Sequence, residues 1–286
     1  MGQKLILSFG EIVWDQFGEK SILGGAPLNV AYHLHMAGAK TRLISRIGSD
    51  QLGRETIDKL RGMGLDCSGV QVDDELASGR VFVTLDDQGQ PSYDIADPAA
   101  WDAIGYPPDE QSLLPDTYHL VFGTLSQRHN RSRESLAKLI AGADTIFYDV
   151  NLRPPHTTMQ LVKDSLDAAD VVKVNVEELE LLGSWFTEKD DNIQQTAATL
   201  LKDFALSLMA VTDGDKGAWL ISGDGTVKSH PGFQVTVCDP VGSGDGFFSV
   251  LIRGFLESMA PEKILIEANR LGAWIASRSG ATPPYE

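Results

Sequence analysis

Cysteine is nearly absent: Cys67 and Cys238 are the two in 286 residues. They stand alone, without a CxxC or Cys/His cluster, so no disulfide framework and no cysteine-built zinc site is expected. Basic residues are scarce as well, 24 Lys+Arg against 40 Asp+Glu, for a net charge of −16. Duplex nucleic acid and anionic membranes are gripped through many Lys and Arg contacts, so neither is expected as a partner. No apolar run approaches the roughly 18 residues of a membrane span, and the opening MGQKLILSFGE has too short an apolar stretch for a signal peptide. A cytoplasmic protein is therefore expected. Gly-Lys-Ser/Thr occurs nowhere, which excludes a P-loop. Gly242-x-Gly244 is followed by Phe247 and lies far from a first strand, unlike a dinucleotide fingerprint. The six histidines show no HExxH or other ligand spacing, so no chemistry is assigned to them.

What the chain does hold is enough apolar residue, 42%, to fill a core. Apolar β-rich runs alternate with helix-period segments, the pattern of an α/β fold with a mainly parallel sheet. Strands are expected at 4–9, 41–46, 118–121, 145–150, 171–174 and 206–211. Helices are expected at 27–36, 51–63, 132–141, 159–168, 187–201, 246–259 and 261–277. Glu11–Leu23 and Gly79–Ile95 break the alternation. The second reads as a hairpin turning at Asp86-Asp87-Gln88-Gly89, and the two together read as a small β appendage that could serve as a lid. Trp101, Trp185, Trp219 and Trp274 are expected to pack in the core or lid.

Cys238-Asp-Pro-Val-Gly-Ser-Gly-Asp-Gly-Phe-Phe248 is the most informative segment. Phe247, Phe248, Leu251, Ile252, Phe255 and Leu256 recur at helical spacing, so Gly242-Ser243-Gly244 is a glycine turn feeding a helix N-terminus. Unpaired N–H groups and the helix dipole bind anions there. Asp245 admits two readings: a base that accepts a proton from a substrate hydroxyl beside a bound phosphate, or an ordinary acidic residue interacting with the dipole. Gly24-Gly25-Ala-Pro-Leu-Asn29 opens the first long helix; its glycines permit close ligand approach, and the Asn29 amide both donates and accepts. Asp15, near the end of the first strand, could accept hydrogen bonds from a diol. Asn175 and Glu178, three apart, read either as a carboxylate that organises Mg2+ beside phosphates or as a capping box. Arg153 follows another strand and offers a fork for phosphate. Thr212-Asp-Gly214-Asp-Lys-Gly217 reads by itself as a hairpin.

In this order, these segments resemble the ribokinase-like (PfkB) family of carbohydrate kinases. The family's first glycine signature looks like Gly24-Gly25-Ala-Pro-Leu-Asn29 followed by Gly48-Ser-Asp-Gln-Leu-Gly53, and its second like Asp239-Pro-Val-Gly-Ser-Gly-Asp245. The NxxE element matches Asn175 and Glu178, and the TxGxxG nucleotide loop matches Thr212, Gly214 and Gly217. Gly10-Glu11 with Asp15, the Asp149-x-Asn-x-Arg153 element and Ile95-Ala-Asp-Pro-Ala-Ala-Trp101 look most like bacterial fructokinases. Pro240 departs from the family's usual Thr, Ser243 from a frequent Ala, and Gly246 from a usual Ser or Ala.

The resemblance implies a three-layer α/β/α sandwich spanning residues 1–286 as a single domain, with a mainly parallel central sheet and a β lid from 11–23 and 79–96. It implies transfer of the ATP γ-phosphate to a primary hydroxyl of a small carbohydrate, D-fructose first, with Mg2+ as cofactor. Ribose, 2-keto-3-deoxygluconate, a nucleoside, or a non-catalytic sugar or nucleotide sensor are the alternatives. Carried over, Asp245 is the base and Gly242, Ser243 and Gly244 the anion hole. Asp15, Gly25, Asn29 and Arg153 hold substrate; Asn175, Glu178, Thr212, Gly214, Gly217 and Asn269 hold the nucleotide and its metal, Glu178 through water. Asp239, Val241 and Gly280 are the candidate K+ ligands. A homodimer through the lid is a further expectation.

Overall fold

The computed structural model describes residues 4–18, 20–85, 91–107, 114–188 and 192–285. They divide into two compact units, Met1–Tyr118 with Ser126–Gly142, and His119–Leu125 with Ala143–Glu286. Among the described residues no helix is long and apolar enough to cross a membrane, and both cysteines are free thiols.

The first unit contains strands β1 (Leu5–Phe9), β2 (Val13–Phe17), β3 (Lys20–Gly24), β4 (Thr41–Gly48), β5 (Val70–Asp73), β6 (Gly79–Leu85) and β7 (Pro91–Ile95). Its helices are α1 (Ala26–Met36), α2 (Gln51–Gly62) and α3 (Asn130–Gly142). The run LILSF of β1 is buried throughout, as expected of a strand in a parallel sheet covered on both faces. β1 pairs with β4 and β4 with β5, all parallel. A separate four-stranded sheet runs β3-β2-β6-β7. Its outer pairs are antiparallel and its central β2–β6 pair is parallel. The two segments that broke the alternation thus join in one sheet; the turn expected at 86–89 lies outside the described residues. Trp101 is fully buried, as expected of a core residue.

The second unit contains β8 (Tyr118–Gly123), β9 (Thr145–Asp149), α4 (Met159–Ala168), β10 (Val171–Asn175), α5 (Val176–Phe186), α6 (Ile193–Asp203), β11 (Leu208–Thr212), β12 (Ala218–Ser222), β13 (Val227–His230), α7 (Ser243–Leu256) and α8 (Pro261–Ala276). β8, β9, β10 and β11 lie side by side in parallel, and β12 and β13 extend the sheet antiparallel. The β11–β12 hairpin bears out the turn read at Thr212–Gly217.

Two helices differ from expectation. No continuous helix covers 187–201: α5 stops before Thr187, whose backbone is extended, and α6 starts beyond Asn192, whose side chain accepts from the N–H groups of Gln194 and Gln195. An asparagine offering that cap competes with helix continuation. α7 begins at Ser243, not Gly246, because Gly242 takes the left-handed conformation, φ 80°, at the N-cap. Ser243, Gly244 and Asp245 therefore form the first helical turn. Gly246 sits where α7 and α8 meet; a Cβ there would lie 2.2 Å from Ile275 Cδ1, so close helix packing explains the missing side chain.

Candidate active site

The α7 ladder starts with Gly246 N–H donating to the Gly242 carbonyl at 2.9 Å, which puts the N–H groups of 243–245 ahead of it. That of Ser243 bends back to the Pro240 carbonyl at 3.3 Å, and Ser243 Oγ donates to the same oxygen at 2.8 Å. Gly244 N–H meets no acceptor among the described residues. The turn thus offers an open backbone donor at the positive end of a 14-residue helix. Asp245 is half-buried one position further on.

Below the turn lies a cluster of charged groups. Lys173 on β10 reaches across to Asp149 at the end of β9, Nζ donating to Oδ1 at 2.8 Å and Oδ2 at 3.1 Å, and both residues are buried. Burial pushes the Lys173 ammonium toward neutrality, but Asp149, Glu178 and Asp245 outweigh it and hold its pKa above the ordinary value. Asn175 caps α5, accepting from Glu178 N–H at 2.7 Å. The Glu178 carboxylate accepts in turn from Asn175 N–H at 2.9 Å and Leu152 N–H at 2.8 Å. The capping-box reading of this pair is therefore what the backbone displays. It fixes the Glu178 carboxylate beside Lys173 and Asp149. Burial raises its pKa, Lys173 opposes that, and Asp149 adds to it. Three carboxylates against one ammonium leave an excess of hard oxygen donors, the chemistry that suits Mg2+ held largely through water.

A cavity of about 320 Å³ in the same unit brings together Thr212, Gly214, Gly217 and Asn269 with Ser243 and Gly244. Asn269 is nearly buried on α8 and donates through Nδ2 to the Leu265 carbonyl at 2.8 Å. Gly217, φ 89°, is a packing glycine: a Cβ there would stand 2.0 Å from the His230 carbonyl oxygen. Gly214, φ 52°, faces open space. The cavity's apolar wall, Phe233, Val235 and Val237, is the part the sequence analysis missed. These residues alternate with Gln234 and Thr236 like a strand, yet they lie in an unpaired segment after β13. That alternation was the available signal. An apolar wall near an anion-binding turn fits a molecule with a flat base at one end and phosphates at the other.

Asp239, Val241 and Gly280 also come together. Asp239 accepts from Val241 N–H at 3.1 Å and from Gly280 N–H at 3.0 Å. Arg153 stands apart: it is exposed, bonds the Leu152 carbonyl at 2.8 Å and does not line the cavity.

In the first unit, Gly25 (φ 117°) is the N-cap of α1, and a Cβ there would lie 2.4 Å from the Glu11 carbonyl oxygen. Only glycine fits. Asn29 is buried in the first turn, its N–H bonded to Gly25 O at 2.9 Å. Asp15 on β2 points toward Gly24, whose Cβ position is 3.3 Å from Oδ2. The second part of the glycine signature is structural: Asp50 caps α2 and accepts from Gly53 N–H and Ser78 Oγ at 2.8 and 2.7 Å. A Cβ on Gly53 would lie 1.8 Å from the Gly48 carbonyl oxygen.

The chain is 29% identical over 316 residues to fructokinase-1 of Zea mays, covering 99% of this chain and 94% of that protein. It superposes with a TM-score of 0.82 on the uncharacterized sugar kinase PH1459 of Pyrococcus horikoshii in complex with ATP, at 29% identity, covering 97% and 94% of the two chains. The fructokinase of Vibrio cholerae O395, solved with fructose, ADP and calcium ion, gives a TM-score of 0.80 at 25% identity, covering 98% and 95%. The model of the pfkB family of carbohydrate kinases matches residues 3–286, and the chain belongs to that family: an ATP-dependent sugar kinase with the ribokinase-like fold.

Proposed function

We propose that the sugar is a small ketose, D-fructose in the first place, phosphorylated on a primary hydroxyl. The observation that carries the phosphotransfer chemistry is the cavity uniting Thr212, Gly214 and Asn269 with Ser243 and Gly244 of the α7 turn, beside which Asp245 stands. The choice of fructose is supported by the fructokinase relatives. Asp15, Gly25 and Asn29 hold the sugar. Asp245 accepts the proton of the attacking hydroxyl as its oxygen bonds to the γ-phosphorus and the bond to the ADP oxygen breaks. The α7 turn stabilises charge on the transferring group. Asn175 and Glu178 would position the waters of a bound Mg2+, which would neutralise further phosphate charge. Asp239, Val241 and Gly280 would hold a K+ ion.

Residues 1–286 act as one kinase, and the β3-β2-β6-β7 sheet is a lid that shields the sugar held by Asp15 from water. Phe17, Ile22 and Phe82 are exposed on that sheet and support self-association through it. Two isolated thiols and an acidic surface suit a cytoplasmic setting. The test is sugar-dependent ADP release over fructose, ribose, 2-keto-3-deoxygluconate and adenosine, for the natural protein and Asp245→Asn. Fructose is expected to give the highest kcat/KM, and the variant to lose on the order of a hundredfold to ten-thousandfold in kcat. Equal rates in both proteins would remove Asp245 as the base, and ADP release with another acceptor alone would remove fructose.

A further inference from the structure

α8 presents two faces to two different cavities. Asn269, Gly272, Ala273 and Ala276 line the cavity that also holds Thr212 and Gly244. Glu267, Arg270, Leu271, Trp274 and Arg278 recur at spacings of three and four on the other side of the helix, where with Tyr285 they line a second cavity of about 350 Å³. Its body is apolar: the Tyr285 ring meets that of Trp274 at a centroid separation of 4.9 Å, and Leu271 adds aliphatic surface. Its charge is positive. The one carboxylate in the lining, Glu267, is taken up by Arg253 at 2.5 Å and by Lys263 at 3.8 Å. Arg270 and Arg278 make no ion pair among the described residues. Arg278 lies over Trp274, Cζ 4.2 Å from the ring centroid, and donates through Nη1, to the Trp274 carbonyl at 3.3 Å and Ser277 Oγ at 3.1 Å. That leaves its Nε–Nη2 edge, a fork that matches a carboxylate. Two guanidinium groups without a counter-ion, beside paired aromatic rings, are unusual on a chain with a net charge of −16, and they complement an anion with an apolar body. Arg270 also links the two cavities: Cζ stands 5.6 Å from the ring centroid of Phe233, which belongs to the apolar wall of the first.

We propose that this recess on α8 is a second ligand site, taking a flat aromatic carboxylate. The ring lies against Leu271 and the Trp274–Tyr285 pair, and Arg278 and Arg270 grip the carboxylate. Drawing Arg270 to the ligand takes its guanidinium off Phe233 and loosens the wall of the first cavity, so occupancy of the recess weakens binding there. This coupling rests on the nucleotide-binding reading of the first cavity; the second site does not.

The probe is 2-naphthoate, with 2-naphthamide as its uncharged control, titrated by calorimetry into the natural protein, Arg278→Gln and Arg270→Gln. Both arginines are at least partly exposed, so the variants are expected to fold, and their melting temperatures check this. A single equivalent of 2-naphthoate is expected to bind roughly tenfold tighter than 2-naphthamide, and Arg278→Gln to lose that advantage. Saturating Mg·AMP-PNP is expected to leave the stoichiometry unchanged and to lower the affinity for 2-naphthoate by about fivefold or more, with 2-naphthoate lowering the affinity for AMP-PNP by the same factor. Arg270→Gln is expected to abolish this mutual effect. Equal binding of the two probes, or an advantage that survives Arg278→Gln, overturns the site. Loss of the 2-naphthoate equivalent in saturating Mg·AMP-PNP also overturns it, because the probe then occupies the first cavity. Affinities that are independent of each other overturn the coupling through Arg270. Failure of the natural protein to bind AMP-PNP while it binds 2-naphthoate overturns the nucleotide reading of the first cavity and, with it, the coupling, but supports the second site.

Discussion

The Asp73 carboxylate accepts from the backbone N–H groups of Glu75 and Leu76 at 2.9 and 2.8 Å and meets Arg46 Nε at 2.6 Å. Burial by itself would raise its pKa, but these hydrogen bonds and the guanidinium hold it below the ordinary carboxylate value. The folded pKa is thus lower than the unfolded one, so the stabilisation is present above the unfolded value of about 4 and is lost as pH falls through the folded value. Melting temperatures from pH 7 down to pH 3 are expected to fall steeply below pH 4. Asp73→Asn starts lower at neutral pH and falls less over the same acid interval. Parallel curves for the two proteins would exclude this carboxylate as a source of acid lability. Nothing in the sequence marks Asp73, because its partners are a long-range arginine and two loop N–H groups. Asp245, by contrast, stood in a recognisable glycine motif at a helix start.

At the scale of the element, helix starts recur as the device that positions function. Gly25 opens α1, Asp50 opens α2, Asn175 opens α5 and Gly242 opens α7. Two use side-chain caps and two use glycines whose positive φ, 117° and 80°, turns the chain into the helix. Capping asparagine and aspartate are legible in sequence, and so were α1, α2 and α4 nearly to the residue. The start of α7 was not: a left-handed Gly242 and a Ser243 N–H folded back on Pro240 are backbone conformations that composition does not announce. Asp50→Ala is expected to lower stability by about 1 kcal/mol from the lost cap alone. Loss of the Ser78 Oγ partner adds to that. Urea unfolding of both proteins measures it, and an unchanged midpoint would show that the cap is dispensable.

For the whole molecule the dominant long-range quantity is the net charge of −16. Self-repulsion of that size opposes the compact state and is screened as the Debye length shortens from about 30 Å at 0.01 M salt to about 8 Å at 0.15 M. The melting temperature is expected to rise across that interval in NaCl. A flat or falling curve would mean that paired surface charges such as Lys163–Asp167 and Lys228–Glu262 outweigh the net repulsion. A compact anion does not need a basic surface: the donors proposed for it, the Gly244 N–H and the α7 dipole, are local.

The alternation of apolar runs and helical periods determined the α/β class, because parallel strands covered on both faces must be apolar throughout and their crossovers must be amphipathic. Ordered glycine, asparagine and aspartate motifs singled out the residues proposed for the phosphotransfer site, because their backbone and capping chemistry is local. Tertiary structure decided what depends on approach between distant segments. It closed Phe233, Val235 and Val237 around the cavity, brought Asp239 to Gly280, required Gly246 beneath Ile275, and set a buried ammonium against the helix that holds Asp245. Sequence spacing carries conformational preference along the chain; it does not carry the distance between β9, β10 and α7, which the packing of the second unit fixes.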